Sequence, residues 1–274
     1  MKNKRIKIGL TGGTGVLGTL LLKNLKKKKY RVVCFRSDIR KISIVREWVK
    51  KNEFDVIFHL ASLVPVKLCN EDPLKTCSIN IGGVDNLLQS LKLLKKKPWF
   101  FYASTSHVYK IKKTSLSETD KISPKSFYGY TKWVGEKLVE NFSVNYKLNF
   151  CIGRIFSFYS KSQSKDFLFP AILKKLKNAK NKNDIFIHNA NNILDIQEAE
   201  SVVKIIIKLF EKRVKGIFNI GTGSGIDIKN FAKKLTKKNL IVKTNSKKKT
   251  TVIANIKKLN SAILKCKPIN QYQQ

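Results

Sequence analysis

Tyr128 and Lys132 stand four residues apart in the segment Tyr-Gly-Tyr-Thr-Lys, and a helix places such a pair on one face. A lysine ammonium beside a phenol favours the phenolate, so it lowers the phenol's pKa and suits Tyr128 to move a proton near neutrality. A second hydroxyl aimed at the same substrate oxygen would complete the arrangement. Residues 103–109, Ala-Ser-Thr-Ser-His-Val-Tyr, follow an apolar run that reads as a strand and offer Thr105 for that place. Such a trio suits acid–base work at one oxygen of a substrate.

The segment Thr-Gly-Gly-Thr-Gly-Val-Leu-Gly puts glycines at 12, 15 and 18 directly after the first predicted strand. A tight turn and close approach of backbone to a pyrophosphate both need a missing Cβ. The helix that follows offers N–H groups and a positive dipole end to the phosphates. At a strand–helix junction the glycine triplet predicts dinucleotide binding, and Lys132 can then reach the ribose of the nicotinamide half. The end of the second strand selects the dinucleotide: an acidic residue holds the 2′-hydroxyl of NAD, and a basic one suits the 2′-phosphate of NADP. Here Val33, Cys34 and Phe35 run into Arg36, which favours NADP. Asp38 and Arg40 keep NAD open, and an exposed surface cation is the alternative reading of Arg36.

These motifs need a scaffold. Short apolar runs alternate with helical stretches over the first half, the pattern of a parallel sheet covered by helices. Strands are predicted at 6–10, 31–35, 55–60, 99–104 and 150–156, and helices at 15–25, 39–51, 80–95 and 128–142. The result is an α/β fold with a doubly wound parallel sheet. After residue 157 the pattern loosens, with helices at 170–177, 198–213 and 228–235, a strand at 216–221 and an apolar stretch at 251–264. Loops are predicted at 160–166 and 178–184, and the Lys-rich stretch 243–249 reads as a solvated loop. This divides the chain into a dinucleotide-binding domain, 1–157, and a short substrate-binding lobe, 158–274, parts of which pack back on the first domain.

Of the 274 residues, 42% are hydrophobic, enough for a sizeable core plus a smaller lobe; a stapled miniprotein and a disordered chain are excluded. No apolar run reaches the ~18–20 residues of a membrane span. The basic N-terminus leads into a glycine-broken segment with no small-residue cleavage site, so a cytoplasmic protein is expected. Cysteines 34, 69, 77, 151 and 266 contain no CxxC pair, which predicts neither a disulfide framework nor a metal site; Cys34 and Cys151 read as packing residues. The net charge of +38 rests on 49 Lys against 7 Arg spread along the chain. A composition rich in Lys, Ile and Asn is what an AT-rich genome favours, whereas a nucleic-acid binder would use more Arg. Nucleic acid is therefore not the expected partner, although the field would help gather anionic small substrates.

The motifs also occur together in one known family. Residues 11–18 (TGGTGVLG) are similar to TGxxGxxG, 55–62 (DVIFHLAS) to DxVxHLAA, and 79–88 (INIGGVDNLL) to a helix with NxxGTxNLL. Residues 104–109 (STSHVY) match S/T-x-x-V-Y and 128–132 (YGYTK) match YxxxK. Residues 153–160, 193–200 and 218–232 are similar to LRxxNxYG, FIHVDDVA and YNVGSGxxxSxxELA. Over nearly its whole length the chain resembles the extended short-chain dehydrogenase/reductases of the NAD(P)-dependent nucleotide-sugar epimerase/dehydratase family. The resemblance implies a Rossmann-type fold and hydride transfer at a sugar carbon, usually C4, with the carbonyl oxygen polarised between Tyr128 and Thr105. It implies dinucleotide contacts from Gly12, Thr14, Gly15, Val16, Leu17, Gly18, Arg36, Leu60, Ala61, Asn80 and Lys132. Asn80 takes the place of the family's structural or active-site asparagine. A homodimer through the helices bearing Tyr128 and Asn80 is also implied.

Departures from the family pattern narrow the reading. The 4,6-dehydratase branch carries Asp-Glu after its catalytic Thr; Ser106-His107 stands here, which disfavours dehydration. His107 occupies a slot that faces substrate in relatives, where an imidazole could do proton work at an adjacent carbon or simply pack beside the site. Phe167 replaces an Asn that often contacts the nucleotide diphosphate, and residues 191–194 lack a frequent Arg; Lys161, Lys165 and Lys174 are the replacement cations on offer. The short C-terminal lobe leaves the sugar and base open. The expectation is an NAD(P)-dependent 4-keto-sugar reductase acting on a nucleotide-activated sugar in surface-polysaccharide synthesis. One alternative is an NAD-dependent nucleotide-sugar 4-epimerase. Another is a non-catalytic dinucleotide-fold protein that binds nucleic acid or a protein, against which the intact trio argues.

Overall fold

A computed structural model describes residues 6–179, 184–236, 240–245 and 249–265. Apolar runs form the sheet and helical stretches cover it. The chain runs β1 (Lys7–Thr11), α1 (Val16–Lys27), β2 (Arg31–Cys34), α2 (Ile42–Asn52) and β3 (Val56–His59). After two short helices, α3 (Val66–Glu71) and α4 (Pro73–Cys77), a wide helical turn (Ser78–Gly82) leads into α5 (Gly83–Lys92). Then follow β4 (Trp99–Thr105), α6 (Phe127–Tyr146), β5 (Phe150–Ile155), β6 (Ser157–Tyr159) and α7 (Leu168–Asn178). The last part contains β7 (Asp184–Phe186), β8 (Ile193–Leu194), β9 (Ile196–Glu198), α8 (Ala199–Glu211) and β10 (Gly216–Ile220). It closes with β11 (Ile226–Asp227), α9 (Ile228–Lys234), β12 (Ile241–Lys243), β13 (Thr251–Val252) and α10 (Lys257–Lys265).

The main sheet has six parallel strands in the order β2-β1-β3-β4-β5-β10. The chain steps from β1 outward to β2 and returns on the other side to β3. The strand order therefore reverses there, and a crevice opens beyond the C-terminal ends of β1 and β3, where ligands bind in such sheets. Because both faces are covered, the strands read as continuous apolar runs. On one face Leu21 and Leu25 of α1, Val202, Ile206 and Phe210 of α8, and Leu259 of α10 pack on Leu10, Phe58 and Phe101. On the other, Val45 and Val49 of α2, Leu87 and Leu91 of α5, and Val139 and Phe142 of α6 pack on Ile57, Phe100, Tyr102 and Ile152.

Residues beyond 157 serve both parts of the molecule. Strand β10 and helices α8 and α10 complete the main sheet, while Phe169, Ile172, Ile185, Ile228, Phe231 and Val242 form a separate small core. Some predicted boundaries move for local reasons. The helix expected from 39 starts at Ile42, because the Asp38 carboxylate accepts the Arg40 N–H at 3.0 Å and holds the chain in a turn. The helix expected over 80–95 ends at Lys92 and is preceded by the wide turn around Asn80. The apolar stretch 251–264 divides into β13 and α10. Residues 1–5, 180–183 and 246–248 and Cys266, named in the sequence reading, lie outside the described residues. Among the described residues the cysteines are free thiols, no helix is long and apolar enough to cross a membrane, and no group of His, Cys, Asp and Glu is arranged to hold a metal.

Candidate active site

The glycine turn closes the end of β1 against the segment after β3. Gly12 has φ of 72°, and a Cβ there would stand 2.5 Å from the Ala61 nitrogen, so both conformation and contact demand glycine. Gly18 touches the turn itself: a Cβ would overlap the Gly12 carbonyl oxygen. Gly15 differs. A Cβ there would meet only the Gly12 oxygen, at 3.5 Å, so packing tolerates a side chain and the glycine keeps the space in front of the turn open. No side chain caps α1, leaving its first-turn N–H groups directed toward that space. Thr14 and Gly15 are exposed, while Val16 and Leu17 start the helix partly buried. These features fit a dinucleotide pyrophosphate.

Arg36 is exposed just beyond the end of β2 and forms no ion pair among the described residues. The nearby Asp38 is engaged: Arg40 Nε donates to Oδ1 at 2.9 Å and Arg40 Nη2 to Oδ2 at 2.6 Å. The Arg40 hydrogen bonds hold the Asp38 carboxyl down at about 2.

Thr105 ends β4 and Tyr128 opens α6, where Ser126 Oγ caps the helix by accepting the Gly129 N–H at 3.1 Å. Gly129 lets the helix start close in, since a Cβ would lie 2.5 Å from the His107 carbonyl oxygen. The structure brings the Thr105 hydroxyl and the Tyr128 phenol together. The expected lowering of Tyr128 by Lys132 does not occur. Burial pushes the phenol above its ordinary value and the Thr105 hydroxyl only partly opposes this. Lys132 instead lies over the Tyr102 ring, its ammonium 4.2 Å from the centroid, and burial lowers it to about 7 despite the charge of Glu136. His107 stands edge-on to Tyr128, ring centroids 5.7 Å apart, and packing of protein around its imidazole lowers it.

Asn80, expected at the dinucleotide, has its amide fully engaged by protein. Its Oδ1 accepts from Ser62 Oγ at 3.0 Å and Leu63 N at 2.7 Å. Its Nδ2 donates to the Leu63 oxygen at 3.0 Å and to Thr131 Oγ1 at 3.1 Å. Thr131 in turn donates to the Tyr128 carbonyl at 2.9 Å. Asn80 thus ties the segment after β3, with Leu60 and Ala61, to the first turn of α6. Lys161 and Lys165 lie on the exposed loop before α7 and Lys174 on the exposed side of that helix, while Phe167 precedes it without a capping bond.

One turn beyond Lys132 lies a network that the sequence reading missed. Glu136 is buried; it accepts from Ser104 Oγ and from Arg154, whose Nη2 stands 2.8 Å from Oε2 and whose Nε stands 3.0 Å from Oε1. Arg154 also donates to the Glu118 carbonyl at 3.0 Å and stacks on Tyr109. The i, i+4 spacing of Lys132 and Glu136 was the available signal, but the cation that makes burial tolerable comes from β5. Glu136→Ala should leave Arg154 buried and unpaired and cost about 3–5 kcal/mol in urea unfolding. A loss below about 1 kcal/mol, the range of an exposed pair, would show that the network does not brace the site.

A parallel sheet wound on both faces, with a glycine turn after its first strand, is a Rossmann-type dinucleotide fold. The chain belongs to the NAD dependent epimerase/dehydratase family, whose model matches residues 8–221. A dTDP-D-glucose 4,6-dehydratase of Dictyostelium discoideum is 26% identical over 272 residues, covering 84% of this chain and 61% of the relative, so the match spans about three-fifths of that protein's length. In fold, the chain is similar to a UDP-glucuronic acid 4-epimerase from Bacillus cereus solved with UDP-glucuronic acid and NAD (TM-score 0.82, 24% identity, 96% of this chain and 94% of the other). It is also similar in fold to RMD from Pseudomonas aeruginosa complexed with NADPH (TM-score 0.83, 19% identity, 96% and 94%).

Proposed function

We propose that the protein is an NADPH-dependent reductase of a nucleotide-linked 4-keto sugar, with a place in polysaccharide assembly. The observation that carries the reading is the meeting of Thr105 and Tyr128 at the C-terminal end of β4, on the same sheet end as the glycine turn. A bound nicotinamide dinucleotide supplies the hydride. Gly12 to Gly18 and the start of α1 hold its pyrophosphate, and Arg36 its 2′-phosphate. Thr105 and Tyr128 hold the C4 oxygen between two hydroxyls, and Tyr128 gives it a proton.

Burial raises the Tyr128 phenol and keeps it a protonated donor, the state that reducing a ketone consumes. The end of β2 is what favours NADPH and with it a reductase. Arg36 carries no ion pair among the described residues, whereas Asp38, the residue that would hold a ribose 2′-hydroxyl, is already bound by Arg40. Similar folds carry NAD in one protein and NADPH in another, so the fold makes no choice and these side chains must. His107 stands edge-on to Tyr128, and in this reading it touches the sugar beside the reacting carbon. The reading also expects a homodimer through α5 and α6; Tyr130 and Val144 are the apolar residues that α6 exposes.

The test is to mix the protein with NADPH and a panel of nucleotide-linked 4-keto-6-deoxyhexoses. Stoichiometric loss of NADPH absorbance with one 4-hydroxy product is the expected result. Interconversion of C4 epimers without net NADPH loss would replace the reductase with an epimerase. No reaction in either assay across the panel would overturn the C4 reading.

A further inference from the structure

Under Lys132 lies a stack of rings that the reaction described above leaves unused. The Lys132 ammonium stands 4.2 Å from the centroid of the Tyr102 ring, and both side chains are buried. The Tyr102 ring stacks beside His59 at 5.9 Å and 19°, and His59 beside Phe100 at 6.3 Å and 28°. His59 Nδ1 is 2.7 Å from Thr11 Oγ1, which accepts the Ala61 N–H at 3.3 Å. The stack therefore runs from Lys132 to the strand end that forms the glycine turn.

Tyr102 is itself held in place. Its hydroxyl donates to the Lys132 carbonyl at 3.4 Å, and it occupies the position where a Cβ at residue 135 would fall, so Gly135 is what lets α6 settle on the ring. Lys132 forms no ion pair within 4 Å among the described residues. The charged and titratable groups that act on it are Glu136 on α6 and His59 on β3, with Tyr102 on β4 beneath it. Glu136 is already engaged by Ser104 and Arg154. The negative face of an aromatic ring attracts a cation, and the attraction grows when water is excluded.

We propose that Tyr102 is a positioning residue for Lys132: its ring face fixes the ammonium and favours the charged form against the cost of burial. The inference rests on the reading of Lys132 as a member of the reacting trio. What it adds is that a strand residue three positions before Thr105 sets where that charge lies. A leucine at 102 would fill similar space without offering such a face.

The test follows the titration of Lys132 by competitive labelling of the full-length protein with an amine-reactive reagent over a pH series, read by peptide mass spectrometry. It needs neither substrate nor dinucleotide, so its failure is separable from failure of the reductase reading. In the unsubstituted protein the midpoint should fall at about 7. Tyr102→Phe should keep it there, because the ring face remains. Tyr102→Leu, and a ring-trifluorinated phenylalanine at the same position, should move it down by about one pH unit. If Tyr102→Leu does not fold, the phenylalanine and its fluorinated form, which share one shape, decide between them. Equal midpoints for those two, or a Tyr102→Phe shift as large as that of Tyr102→Leu, would overturn the proposal.

Discussion

Tyr128→Phe is expected to reduce turnover by about 10²–10⁴, the usual contribution of a positioned acid or base, with dinucleotide affinity unchanged. The substitution removes one hydroxyl that lies beside Thr105, and it keeps the buried ring and the capped start of α6. The fold and the lysine one turn away should therefore be untouched. Only the proton donor is lost. Comparing steady-state rates with a direct binding titration separates the two effects. A variant that turned over at close to the original rate would show that the proton comes from elsewhere, with His107 the nearest candidate by its contact with the Tyr128 ring.

Gly15→Val is expected to do the reverse, removing dinucleotide binding while the protein stays folded. A Cβ at residue 15 meets only the Gly12 oxygen, at ordinary contact distance, so the chain can accept it; the added methyls then stand in front of the uncapped first turn of α1. A loss of at least about a hundredfold in affinity, about 2.7 kcal/mol, is expected, with unchanged circular dichroism. Gly18→Ala is the contrasting case, because its Cβ overlaps the Gly12 carbonyl; there the cost should appear in stability, at about 1–3 kcal/mol. A Gly15→Val protein that bound NADPH normally would remove the pyrophosphate from this turn.

What the sequence made legible follows from how local each signal is. The six strands of the main sheet were readable to within a residue or two, because strands buried on both faces must be apolar throughout. The glycines at 12, 15 and 18, and the pair Tyr128 and Lys132, were readable because their spacing is tied to one turn and one helix. Where Lys132 points was not. The i, i+4 rule puts it on the face of Tyr128, but its ammonium is claimed by Tyr102, a residue on β4 that only the packing of α6 brings beneath it. Glu136 read as one charge among many because its partner Arg154 lies on β5, 18 residues away along the chain. Asn80 was legible as important but not as braced, since its partners Leu63 and Thr131 come from two other segments. The strands of the small lobe are two or three residues long, too short for a period to show.

The central claim is that this sheet end holds a dinucleotide for chemistry at Tyr128, and that Arg36 makes it NADP(H). Native mass spectrometry of the purified protein, followed by titration with NAD, NADH, NADP and NADPH, tests it most directly. Reversible binding of NADPH with little affinity for NAD is the predicted result. Tightly held NAD that survives purification would demote Arg36 and favour an epimerase that recycles its cofactor. Absence of binding by all four would contradict the account at its root.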